Sequence, residues 1–273
     1  IMFGTLFPLI YEAIYDGDQI SVGAPYYEVL IIPFALLLSF LQGIGLYLGW
    51  NSTRHLDFFK RLIVESLCLF IVISLLVFLI FGSLKWGTFL AIAMFSWIVS
   101  GNIFETFYSS SEIHQLRKIL LKRMGMISAH VGTGFLVLGI GVVSTFSLER
   151  DVVLKEGESY ELGGTTFIFK QIENSKRLNY ASMSADIEII KDKRIGKMSA
   201  EKRRYLSSNQ VMTEAAIKPT FLRDFYVTLG DQVGDGTWSF KVQIKPFIRW
   251  IWFGAFLIAL GTFISSFRQL KKD

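Results

Sequence analysis

Histidine is the residue type in this sequence best suited to chemistry, and one of the three histidines sits where the chain otherwise looks lipid-facing. In KRMGMISAHVGTGFLVLGIG, residues 122–141, two cations precede an apolar run and His130 falls a few residues inside it. An ionisable group within a membrane span is costly unless it faces a protein interior, which makes it a functional-site candidate. A low-dielectric span disfavours the imidazolium, and the neutral imidazole is the form that ligates a metal. At helical spacing Ile127, Thr133, Gly134, Val137, Gly141 and Ser144 share the face of His130. That face is mostly small, which admits two readings. Small residues let a second helix approach closely, so that His130 hydrogen-bonds across a helix interface; they also leave room for a flat macrocycle beside a ligating histidine. Thr133 and Ser144 are expected to pack or to bond back to their own helix.

The other candidates are weaker. His55, in NSTRHLDFF, and His114, in SSEIHQLRK, lie among polar and charged neighbours and read as solvated histidines of cytoplasmic loops. A low-spin b-type haem takes two axial ligands, and no other span contains histidine; Met94 and Met124 are poor substitutes. If His130 ligates haem, the second ligand is expected from outside these 273 residues. Cys68 is the only cysteine and lies in an apolar run, which excludes a disulfide framework, a CxxC pair and a thiolate cluster. There is no GxSxG, HExxH or P-loop, and no GxGxxG between a strand and a helix, so hydrolase, nucleotide and Rossmann readings find no support. The stretch KPFIRWIWFGAF places Lys245, Arg249, Trp250 and Trp252 at the outer end of the last span, where interfacial anchors belong. The functional alternative is a rim that orients a partner or an anionic ligand. Arg223, Asp224 and Glu214 read as β-domain surface charge, with a docking role as the alternative.

Membrane helices must position these residues. The chain is 52% hydrophobic with 25 Phe and positive mean hydropathy. Five apolar runs approach the ~20 residues a span requires: Val29 to Leu48, Leu62 to Phe81, Gly87 to Phe104, Met124 to Thr145 and Phe247 to Phe267. Pro33 is placed in the first turns of its run, where proline costs least. Arg54, Lys60 and Arg61, then Arg117, Lys118, Lys122 and Arg123, and finally Arg268, Lys271 and Lys272 fall on one side if the spans alternate, and that side is cytoplasmic. This accounts for the net charge of +5 without a nucleic-acid partner. The polar insertion from about Glu149 to Lys245 then lies outside. Its alternating TTFIFKQI and ADIEIIK are strand signals, and ELGGTTF and VGDGTW mark hairpins.

The expected fold is a polytopic α-helical membrane protein of about five transmembrane helices with an inserted extracytoplasmic small β domain, a barrel or a sandwich. Residues 1–28 form an outer segment after the tail of a longer element, 29–147 a four-helix transmembrane region, 148–246 the β domain, and 247–273 the last transmembrane helix with a cytoplasmic tail. A transporter is disfavoured: the spans carry no inverted repeat, and only Glu65 and Glu105, near span ends, add ionisable groups.

Several ordered stretches resemble the C-terminal part of the CcmF-type haem lyase subunit of cytochrome c maturation. They are GTLFPL followed by ISVGAPYY, the histidine-bearing MGMISAHVGTGFLVLGIG, SLERDVVLKEGESYELGG, EKRRYLSSNQVMTEAAI, RDFYVTLGD and DGTWSFKVQIKPFIRWIW. The resemblance implies that His130 is one of two span histidines ligating a permanent b-type haem, which passes electrons from quinol to a second haem on the outer face. It further implies attachment of that second haem to the CXXCH motif of an apocytochrome c, delivery by a haem chaperone, and work with thiol-reducing maturation subunits. The implied location is the bacterial inner membrane, with the β domain periplasmic and the C-terminus cytoplasmic; the mitochondrial inner membrane is the alternative. The sequence also departs from the family pattern. Its tryptophans, at 50, 86, 97, 238, 250 and 252, form no WWD segment, and His55 and His114 do not make an outer-face pair. Haem attachment is therefore not assigned to these residues alone, and an N-terminal half of the same protein or a split subunit is expected as partner. A non-catalytic membrane scaffold is the alternative function.

Overall fold

The computed structural model describes residues 2–15, 23–45, 56–108, 113–191 and 194–270. Its order is α1 (Met2–Ile14), α2 (Ala24–Gly45), α3 (Leu56–Phe81), α4 (Trp86–Tyr108), α5 (Ile113–Phe146), nine strands, and α6 (Ile248–Leu270). Among the described residues four helices contain stretches long and apolar enough to cross a membrane: Glu28–Gly45, Phe59–Phe81, Arg123–Phe146 and Ile248–Arg268. The remaining expected run lies in α4. Only 6% of the α3 stretch is buried, so its apolar side chains look outward on most sides, as a helix surrounded by lipid requires.

Three local expectations change. Part of the expected outer segment is helical, as α1. Helix α2 starts at Ala24, before the apolar run, because Pro25 has the fixed φ that suits a first turn. Pro33 consequently sits in the helix interior, where membrane helices tolerate a lost backbone hydrogen bond. Helix α5 runs for 34 residues and absorbs the basic segment before its apolar run, since Leu, Gln, Lys and Arg are good helix formers and neither Gly nor Pro interrupts them before Gly125. His114 therefore lies in the first turn of α5 and not in a loop; its side chain, and all of His55, lie outside the described residues.

The insertion is a sandwich. One sheet has the order β1-β9-β8-β7 and the other β2-β3-β4-β5-β6, with every pairing antiparallel. The first sheet comprises β1 (Leu148–Lys155), β7 (Ala216–Pro219), β8 (Arg223–Gly234) and β9 (Thr237–Pro246). The second comprises β2 (Ser159–Leu162), β3 (Thr165–Lys176), β4 (Tyr180–Lys191), β5 (Arg194–Tyr205) and β6 (Val211–Glu214). Strand alternation puts Phe167, Phe169, Ile187 and Ile189 of one sheet against Phe225, Val227, Phe240 and Val242 of the other, closing an apolar core. Each such side chain contributes about 1.5–3 kcal/mol when fully buried. Gly163 and Gly164 both have positive φ, 54° and 69°, which a two-residue turn between β2 and β3 demands. Gly236 does the same between β8 and β9.

The chain divides into two compact units, Ile1–Leu75 with Ile92–Gly134 and Phe256–Asp273, and Leu76–Ala91 with Phe135–Ala255. The second contains the sandwich and the helix ends that carry it. There the start of β1, which follows α5, pairs with the end of β9, which precedes α6, so both connections leave the same end of the sheet. Phe247 makes the turn from β9 into α6 with a φ of 59°, a left-handed conformation rare for a bulky residue, and packs its ring against Phe81 and Trp250.

Candidate functional site

His130 belongs to the first unit and is partly buried on α5. Helix α4 supplies its neighbour through a single stripe: Phe95, Val99 and Asn102 recur at helical spacing and lie on one face. The ring of Phe95 and the methyls of Val99 cover Gly134, where an added Cβ would come within 3.3 Å of each. One turn of α5 earlier, the Nδ1 of His130 lies 3.1 Å from the Oδ1 of Asn102. Asn102 is 1% exposed, and its Nδ2 donates to the Ile98 carbonyl at 2.7 Å. That bond fixes the amide orientation and leaves Oδ1 to accept, so the Nδ1 of His130 is the donor. In the neutral imidazole this contact suits the tautomer that carries its proton on Nδ1.

Helix α5 touches two further helices around this point. Gln42 of α2 donates to Thr133 Oγ1 at 3.5 Å, and Thr133 bonds back to the Ala129 carbonyl at 3.1 Å. On another face Ser128 Oγ donates to the Leu257 carbonyl of α6 at 2.8 Å. Gly125 and Gly261 let the α5 and α6 backbones meet; a Cβ on Gly261 would lie 2.6 Å from the Ala129 nitrogen. The small residues thus serve helix packing. Gly134, together with Gly141 where α4 brings Ala91 against it, is closed over by α4, so these two do not provide room for a macrocycle as the spacing allowed. Ser144 bonds back to Ile140 at 2.6 Å, as expected.

The remaining sequence candidates resolve differently. Met124 is exposed on α5, and Glu65 is exposed on α3. The side chain of Glu105 lies outside the described ones. Among the described residues no group of three or more His, Cys, Asp and Glu side chains converges, so no side-chain cage for a metal ion surrounds His130 there. In the second unit, Arg249 Nε lies 3.3 Å from Oδ1 of Asp224, which is 5% exposed and also accepts from the Thr220 amide at 3.1 Å. Asp224 is therefore a buried tie between β8 and α6 and no docking surface. Trp250 stacks on Phe135 and Phe247 and meets Phe221 and Phe253 edge-on, knitting the sandwich to α5 and α6, whereas Trp252 is 73% exposed as a lipid-interface anchor would be. Lys245 lies over the ring of Tyr226, whose hydroxyl is pushed up from its ordinary value by burial and then by the Asp224 carboxylate. Lys85, in the turn between α3 and α4, donates to the Thr145 carbonyl at 3.1 Å and caps α5. Within the sandwich a cleft of about 740 Å³ opens between Lys176, Ser182, Lys202, Arg204 and Trp238; its cations are partly paired, Lys202 with Asp231 and Arg203 with Glu201 and Glu214.

Sequence reasoning missed Asn102. The available signal was a primary amide in SWIVSGNIF, inside an expected span, where a polar side chain is retained for an interhelical bond.

Fold and site define the class: a polytopic helical membrane protein with an inserted β-sandwich and a hydrogen-bonded histidine inside one span. Residues 145–246 match the family model described as the CcmF C-terminal beta-sandwich. The chain is 31% identical over 270 residues to the cytochrome c-type biogenesis protein CcmF of Pseudomonas fluorescens, covering 97% of this chain and 41% of that protein. The CcmF of Escherichia coli K12 is 32% identical over 275 residues, covering 98% and 41%. Among solved structures, "Cytochrome c Heme Lyase CcmF" superposes with a TM-score of 0.75 at 19% identity, over 96% of this chain and 42% of that one, which establishes the shared fold. The chain belongs to the CcmF family, and it spans about 41% of the length of these relatives.

Proposed function

We propose that this chain is part of a membrane assembly that attaches haem to apocytochrome c, and that His130 supplies one axial ligand of a b-type haem. The observation that carries the reading is the setting of His130: a partly buried imidazole within a span, with Nδ1 3.1 Å from the neutral amide oxygen of Asn102, an arrangement in which Nε2 would be the nitrogen offered to iron. Similarity along nearly the whole chain to proteins named for cytochrome c-type biogenesis supports the wider role.

When bound, the haem supplies one-electron redox chemistry, with quinol as the electron donor. The residues of this chain hold and orient. His130 ligates, and Asn102 fixes its tautomer. Phe95 and Val99 cover Gly134 and close the α4 side to a planar ligand. The second axial ligand comes from outside this chain, from an N-terminal half of the same protein or a split subunit, since no other span here carries histidine. With domain divisions at 28, 147 and 246, the sandwich lies on the periplasmic face of a bacterial inner membrane and the C-terminus in the cytoplasm in this reading, which the grouping of Lys and Arg on alternate loops supports. There the sandwich meets the haem chaperone, the thiol-reducing subunits and apocytochrome c.

The test is to express the chain with the remainder of the protein and record visible spectra of the purified assembly. His130→Ala is expected to abolish the b-type bands at unchanged protein level; unchanged bands would sink the ligand assignment. A second reading, a non-catalytic scaffold, is favoured by one observation: the bond from His130 to Asn102 joins α5 to α4 just as a structural interhelix contact would. It predicts that His130→Asn leaves cytochrome c maturation intact.

A further inference from the structure

A ligating imidazole is tuned by what holds its other nitrogen, and here that partner is well defined. Asn102 cannot rotate its amide freely: it is 1% exposed, and its Nδ2 is tied at 2.7 Å to the Ile98 carbonyl one turn back on its own helix. Its Oδ1 therefore faces Nδ1 of His130, at 3.1 Å, from a rigid element. The residues before it on the same stripe, Phe95 and Val99, press on Gly134, so the helix that carries the acceptor is itself fixed against the helix that carries the imidazole.

We propose that Asn102 is the positioning residue of His130, setting its tautomer and ring plane and, through the strength of the Nδ1 hydrogen bond, the reduction potential of the haem iron. The proposal rests on His130 being a ligand. The partner of a ligating imidazole controls its basicity: a carboxylate draws the Nδ1 proton, gives the ring imidazolate character and favours the oxidised metal. An amide oxygen is a neutral and weaker acceptor. It fixes orientation while leaving the imidazole a weaker donor to iron, which keeps the potential higher than a carboxylate would, and it does so without burying a charge inside the span.

The test uses the full chain assembled with the remainder of the protein, in three variants: His130→Ala, Asn102→Asp and Asn102→Leu. Haem content per protein, visible and paramagnetic resonance spectra, and the midpoint potential from a redox titration are read for each. Asn102→Asp is expected to retain haem and to move the midpoint to a more negative value. Asn102→Leu, which removes the acceptor, is expected to lower haem content severalfold and to alter the resonance signature of the axial imidazole in what remains. Either Asn102 variant that accumulates at the wild-type level decides the matter: unaltered midpoint, spectra and haem content in that variant would overturn the proposal. Retention of b-type bands in His130→Ala would instead refute the ligand reading on which it rests, so the two failures are distinguishable.

Discussion

The bonded pair of His130 and Asn102 and the buried Asp224 solve the same problem in different ways. Asn102 and Asp224 are buried and His130 partly so, and a buried polar group must find partners within reach, because leaving one unsatisfied costs about 1–3 kcal/mol. Asp224 has two: the Thr220 amide and Arg249. Asp224→Ala, which strands both, is expected to destabilise the sandwich by about 1–3 kcal/mol, and Asp224→Asn by less because it can still accept from Thr220. Chemical denaturation followed by tryptophan fluorescence would measure both, and equal losses would contradict the assignment. Glu149 adds a pH dependence. The Lys241 ammonium, hydrogen-bonded at 2.9 Å, holds its carboxyl below the ordinary value of 4.5, and Lys170 does the same for Glu188. A lowered folded value contributes stability above the unfolded value, and that contribution is lost as pH falls through the folded one. Thermal melts between roughly pH 3 and pH 7 should show the sandwich weakening on acidification, and Glu149→Gln should flatten part of that slope. Glu149 is exposed and Glu188 only partly buried, so solvent screens both pairs and the effect is small.

Helices in lipid gain little from hiding apolar surface, and their contacts depend on close backbone approach and on a few polar bonds. Helix α5 uses both, with Gly125 against α6, Gly134 against α4 and Ser128 bonded to the Leu257 carbonyl. Gly261→Leu would drive a side chain into the Ala129 backbone and is expected to cost about 1–3 kcal/mol of helix association. Gly45→Leu is the control, because a Cβ there meets nothing within 4 Å. Denaturation in mixed micelles compares the two, and equal stability would remove the claim that the small residues are packing contacts. The strands differ in kind: their alternation and their glycine turns are properties of consecutive residues, and for that reason TTFIFKQI and ELGGTTF are legible in the sequence itself.

At the scale of the whole molecule the central expectation is orientation. Leu178, fully exposed in the turn between β3 and β4, offers a reporter. In a Cys68→Ser background, Leu178→Cys is expected to react with a membrane-impermeant maleimide in cells whose outer membrane alone is permeabilised; labelling only after the inner membrane is breached would reverse the topology. The sequence by itself determined the apolar spans, the inserted β domain and its hairpins, and the one histidine within a span, since length, charge distribution and period are written in neighbouring residues. Tertiary structure decided what no local pattern carries: whether two sheets close as a sandwich, that α5 extends through its basic segment, that Gly134 is covered by α4, and that Asn102 meets His130. The physical reason is rotational phase. A helix displays its composition in sequence, but which side chain faces which neighbour is set only when the helices pack, and a separation of 28 positions between Asn102 and His130 gives no hint of a bond that two rigid helices make at 3.1 Å.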